Sequence, residues 1–289
     1  MVDFVHLEIP STCRDPGGEV QTPARILPVY PEIPEMHRIA LLLFTCLLAA
    51  CQTPMNEADL RPLVQAAVDN PARSESDRNL DPMRKPVDVV TFFGIQPGMD
   101  VIDVFGGGGY YTEILSYLVG SEGSVTLYNN NPWNNFVTKS VEERLRNNRL
   151  PNVTVLTVEP AELGAHEASY DAAIFILGMH DIYYEDLEND WPAIDVPGFL
   201  GEIQRLVKPG GLLGIIDHNA SVGSDPAEVG KRLHRIDKNV VIRDVTAAGF
   251  TLEGESDLLA NGDDDHSRLV FEDELRWKTD RSVLLFRRL

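Results

Sequence analysis

Residues 100–120 read DVIDVFGGGGYYTEILSYLVG, and this stretch decides the fold. Asp100–Val104 is a short apolar strand with an acid, Asp103, near its end. Gly106, Gly107, Gly108 and Gly109 follow without interruption. Tyr110–Val119 then sets Ile114, Leu115 and Leu118 on one helical face, and Gly120 stops it. Strand, glycine run and helix together make a ligand-binding device. Glycine opens backbone angles closed to other residues and lets a ligand come close, while the helix N-terminus offers free N–H groups. Taken alone, the same run also suits a plain tight turn.

Working outward, strands and helices alternate. Residues 87–93 form a helix ended by Gly94 and Pro97-Gly98. Strands are expected at 124–128, 153–158, 172–177, 212–216, 250–255 and 282–287. Helices fall between them at 136–147, 198–207 and 240–248. The first has Val137, Val141 and Leu145 spaced by four, and the second is closed by Lys208-Pro209-Gly210-Gly211. This alternation implies a parallel sheet with right-handed crossovers and helices on both faces, an α/β doubly wound domain spanning 73–289.

Composition fits a soluble globular domain, with 43% hydrophobic and 24% charged residues. The net charge of −20 and a pI of about 4.6 argue against a nucleic-acid partner, whose phosphates need a basic face. The acidity reads as a well-solvated surface, the Asp263-Asp264-Asp265 run as a solvated loop, and a small molecule as the expected substrate. Cys13, Cys46 and Cys51 all lie before residue 52. The globular part therefore has no disulfide, thiolate metal site or cysteine nucleophile.

The N-terminal region reads as an address. Residues 39–50, IALLLFTCLLAA, are apolar and follow His37-Arg38, but fall short of the roughly 20 residues of a spanning helix. Basic residues, an apolar run and small residues describe a signal peptide over 36–50. Cys51 after Leu48-Ala49-Ala50 resembles a lipoprotein cleavage site, with Cys51 lipidated. The expected location is periplasmic, with membrane contact only through that lipid, or cytoplasmic if the signal goes unused. Met36 is the expected start of translation, which leaves 1–35 as a non-native or disordered extension. Residues 51–72 form a tether with a helical segment at 57–68.

Two cofactors suit the glycine loop. A dinucleotide site asks for G-x-G-x-x-G. Counted from Gly106 or Gly107, the third glycine falls on Tyr111 or Thr112, so that pattern fails. A site for S-adenosylmethionine (SAM) asks for acid-x-G-x-G-x-G. From Asp103 the glycine positions fall on Phe105, Gly107 and Gly109, so two of three agree. Asp103 can accept from a cationic amine, and Phe105, Gly106 to Gly109 and Tyr110 border the expected cofactor. A carboxylate at the end of the second strand normally takes both ribose hydroxyls. This chain has Asn129 there, which accepts without charge. Trp133 suits either stacking on an adenine or packing beneath the loop.

Residues 103–113 (DVFGGGGYYTE), Lys208-Pro209-Gly210-Gly211 and Asp217-His218 resemble a family of class I SAM-dependent methyltransferases. Residues 233–237, Ser256-Asp257 and 278–281 extend the match. The resemblance implies SAM as cofactor and a Rossmann-like sheet of about seven strands, mostly parallel with an antiparallel C-terminal strand. It leaves the acceptor undefined; members often carry export signals.

Ligands in open α/β sheets sit beyond the carboxyl ends of the strands. His180-Asp181 and Asp217-His218 fall at those ends, with His234 and Asp237 in the next connection. A histidine base with an orienting carboxylate suits methyl transfer to oxygen or nitrogen, so His180, Asp217 and His218 are the catalytic candidates. Such pairs are also common as structural hydrogen-bonding partners. The histidines and aspartates make a metal site feasible, but no short ligand spacing supports one and none is expected. Arg78, Arg84 and Lys85 are candidates to cover an anionic group, or a plain surface run. A methyltransferase and a non-catalytic SAM- or nucleoside-binding module are the two leading functional readings; a nicotinamide-dependent enzyme is a third, against which the missing third glycine counts.

Overall fold

The computed structural model describes residues 55–165 and 169–289. The expected extension, signal peptide and lipidated Cys51 lie outside the described residues.

Strand β1 (Asp100–Val104) lies parallel between β2 (Ser124–Asn129) and β4 (Tyr170–Ile176). β3 (Val153–Thr157) extends one edge, and β5 (Val207–His218) continues the other in parallel. β7 (Arg281–Arg288) inserts antiparallel between β5 and β6 (Phe250–Ser256), giving the order β3-β2-β1-β4-β5-β7-β6. The sheet is thus the expected one, mostly parallel with an antiparallel C-terminal strand.

Alternating side chains feed two separate cores, because successive strand residues point to opposite faces. Ile102, Ala173, Phe175, Ile215 and Phe286 join one apolar cluster. Val101, Ala172, Ile174, Ile216 and Val283 join the other. Helices α7 (Val196–Leu206) and α9 (Lys238–Ala247) close the first face through Phe199, Ile203, Val241 and Val245. Helices α1 (Glu57–Val68), α4 (Pro86–Phe93) and α5 (Tyr110–Val119) close the second through Val64, Phe93, Ile114 and Leu115. Two four-residue helices, α2 (Glu75–Arg78) and α3 (Asp81–Arg84), join α1 to α4.

Several boundaries differ from the sequence reading for identifiable reasons. Residues 57–68, expected within a tether, bury Leu60, Val64, Ala67 and Val68 as α1, so the folded unit begins before Arg73. Helix α6 (Asn131–Leu145) starts earlier than residue 136, because the Asn130 side chain accepts from the Trp133 amide at 3.1 Å and Pro132 suits the first turn. Lys208 to Gly211 is an irregularity inside β5, where the register slips between Tyr170 and Ala172 of β4 and Gly210 takes φ +78. Helix α8 (Pro226–Leu233), absent from the sequence reading, buries Val229 and Leu233 four residues apart. Asp264 of the acidic run is buried rather than solvated, and pairs with the fully buried Arg235 through two 2.9 Å bonds.

Candidate active site

The loop after β1 is held from several sides. Phe105, Gly107 and Gly109 take φ +48, +57 and +82. A Cβ at Gly106 would lie 2.6 Å from the Asp103 carboxylate and 2.5 Å from Leu127, so only glycine fits. Asn129 accepts from the Gly107 amide at 3.0 Å and donates to its carbonyl at 3.0 Å. Arg144 donates from Nε to the Gly108 carbonyl at 2.6 Å and pairs with Asp77 and the buried Glu113. The Phe105 ring packs among Tyr128, Phe175 and Phe199 at centroid distances of 5.5, 5.6 and 5.5 Å.

A cavity of about 840 Å³ opens beyond the carboxyl ends of β1, β4 and β5. Its floor is Phe105 with Gly106, Gly107 and Gly108. Arg84, Tyr110 and Trp133 also line it, together with a polar wall of His180, Asp181, His218 and His234. The Arg84 guanidinium lies 4.4 Å from the Tyr110 ring and 4.7 Å from Trp277, a cation sandwiched by aromatics. Arg78 and Lys85 instead donate to the carbonyls of Asn70 and Leu258.

Asp103, Asn129, Gly109 and Asp217 do not line the cavity. Asp103 is buried beneath the loop, where it accepts from the Thr112 hydroxyl at 2.6 Å and burial pushes its carboxyl up to about 6. Asn129 has both amide atoms bonded to Gly107 and lies outside the cavity lining, so it serves the loop rather than a ribose. The Trp133 ring packs 6.4 Å from Phe105 and also lines the cavity. Tyr111 donates to the Arg84 carbonyl and sits in the core.

The polar wall is one connected group. Asp217, at the end of β5, accepts from the His180 amide at 2.9 Å and lies 2.8 Å from His180 Nδ1. On the other side of that ring, Nε2 lies 3.2 Å from His234 Nδ1 and 3.3 Å from Asp181 Oδ1. Burial alone would depress His180, but Asp181 and Asp217 outweigh it and push the imidazole up to about 9. His234 is held down to about 4 by burial and by the charge of His180. Burial also takes His218 well below the ordinary imidazole range, with its Nδ1 2.6 Å from the Thr279 hydroxyl. The wall can therefore hold a proton on His180. Asp237 is structural: it caps α9 and accepts from the Gly223 amide.

Adjacent strands bring His180, Asp217 and His218 together as expected. His234 arrives from α8, and Tyr184 and Trp277 from connections that carry no pattern in sequence. All three line the cavity.

A solved SAM-dependent methyltransferase of Aquifex aeolicus superposes with a TM-score of 0.50 at 20% identity, covering 81% of this chain and 100% of that one. The fold is that of the class I methyltransferases. A family model described as protein-L-isoaspartate (D-aspartate) O-methyltransferase matches residues 82–185. The ubiquinone/menaquinone biosynthesis C-methyltransferase UbiE of Shewanella sediminis is 29% identical over 125 residues, 43% of this chain and 44% of that protein. Its counterpart in Shewanella piezotolerans is 28% identical over the same lengths. The chain thus spans under half the length of these curated relatives.

Proposed function

We propose that this domain is a SAM-dependent methyltransferase acting on a small-molecule acceptor. The observation that carries the reading is one cavity joining the glycine loop to His180, which Asp217 holds from behind. The residues present fit the cofactor. Arg84 Nε and Trp133 Nε1 are buried polar atoms without a partner in the cavity walls, and both can donate to a ligand's oxygens or ring nitrogens. Gly106 to Gly108 would take the amino-acid end, Arg84 its carboxylate and Trp133 the nucleoside. SAM supplies an electrophilic methyl on a sulfonium. Asp103, beneath the loop, fixes the loop rather than touching the ligand. His180, positioned by Asp217, and His218 face the acceptor, whose nucleophilic atom is activated at that wall.

Titration calorimetry of the full chain with SAM and S-adenosylhomocysteine tests this. Binding of both is expected, with Gly107→Val abolishing it because valine is strained at φ +57. Absence of binding to either at millimolar concentration would overturn the reading. The commitment of Asn129 to Gly107 favours a second reading, a module that binds a nucleoside without turnover; SAM binding with no methyl transfer to any metabolite pool would select it. We also propose export and lipid anchoring at Cys51, supported by the apolar run 39–50 directly before it.

A further inference from the structure

We propose that His180 Nε2, Asp181 Oδ1 and His234 Nδ1 form a site for a divalent transition-metal ion, zinc being the probe of choice, on the cavity wall. These atoms form a triangle with edges of 3.2, 3.3 and 3.8 Å. Donors at about 2.0–2.2 Å around a tetrahedral ion stand roughly 3.3–3.6 Å apart, so the triangle is close to the face an ion would occupy. Two imidazoles and a carboxylate suit zinc, iron(II), nickel or manganese in preference to magnesium or calcium.

The groups behind the triangle are those a metal site needs. Asp217 Oδ1, 2.8 Å from His180 Nδ1, holds the proton on that nitrogen and leaves the Nε2 lone pair for the cavity side. The Tyr184 hydroxyl donates to Asp181 Oδ1 at 2.9 Å and fixes the carboxylate. His234 ends α8 at φ +53, where glycine is the usual choice. A non-glycine residue held in that region is a strained position, and here it delivers Nδ1 to the triangle. Gly230 lets α8 approach, since a Cβ there would lie 3.0 Å from the His180 carbonyl oxygen.

All three ligand residues line the cavity, so an ion held by them keeps its remaining positions toward the bound small molecule. That favours an acceptor with an oxygen or sulfur donor beside the atom to be methylated. The acceptor's identity rests on the function proposed above; the ion does not. A second proton on His180 would satisfy the same triangle without metal, and the test separates the two.

The full chain, stripped with a chelator, is titrated with Zn²⁺ by calorimetry and with Co²⁺ by visible absorption. One site is expected, with ligand-field bands of a four- or five-coordinate Co²⁺. His234→Ala and Asp181→Asn should each weaken Zn²⁺ binding at least tenfold, and Asp217→Asn about 10–100-fold as an outer partner. The His234 side chain is 28% exposed, so this variant keeps the fold and its far-ultraviolet dichroism. No binding, or the same affinity in His234→Ala, would overturn the site in favour of the proton. SAM titrated into the same sample separates the claims. SAM binding without metal sinks only the ion; metal binding without SAM sinks only the methyltransferase.

Discussion

Phe105 carries two opposed effects. Its φ of +48 costs an L-residue about 1–2 kcal/mol. Its ring is 2% exposed, and truncating such a phenylalanine costs about 3–5 kcal/mol. Burial wins, so Phe105→Gly is expected to destabilise by about 1–4 kcal/mol even though it restores the glycine usual there. Urea denaturation checks this, and a higher midpoint in the variant would show that backbone strain dominates. Asp103 is the complementary case, an acid held in a place that disfavours its charge. Its carboxyl titrates near 3.8 when unfolded and is pushed up to about 6 by burial. Between those values the folded state binds more protons, so this group's contribution to stability falls as pH rises from 4 to 6. Asp103→Asn keeps an oxygen for the Thr112 hydroxyl and removes that slope. Identical pH dependence of the two midpoints over the window would show that Asp103 is not the group responsible.

At the scale of elements, Arg144 is the tie that sets the glycine loop. From α6 it reaches the Gly108 carbonyl, Asp77 within α2 and Glu113 within α5. The Glu113 side chain is 1% exposed, so removing its partner strands a buried charge, at a cost of about 3–5 kcal/mol for an isolated pair. Arg149 also pairs with Glu113 and softens the loss. Arg144→Met is therefore expected to cost about 3 kcal/mol, and to weaken SAM binding more than overall stability alone explains. A variant with wild-type affinity would mean the loop needs no support from α6. The same elements show what was legible in the chain. Short apolar strands alternating with helices, and the glycine run, are local signals, so the sheet could be read, and with it the meeting of His180 with Asp217. The Asn130 cap, two residues before Pro132, is an equally local signal for the start of α6. The arrival of His234, and the burial of Asp264 against Arg235, depend on where the connections after β5 fold back. No spacing encodes that.

For the whole molecule, charge and anchorage have to be considered together. A net charge of −20 gives the chain no electrostatic attraction to an anionic leaflet, which binds basic segments. Among the described residues, no helix is long and apolar enough to cross a membrane. The proposed lipid on Cys51 would act through apolar burial rather than charge. Two consequences separate this from surface adsorption. High salt should leave the wild-type protein in the membrane fraction, because screening does not weaken acyl insertion, whereas detergent should release it. Cys51→Ser should move the protein to the soluble fraction of fractionated cells while the SAM affinity of the folded unit is unchanged, since α1 begins several residues later at Glu57. If the serine variant stays with the membrane, the apolar run is itself the anchor and no lipid is attached.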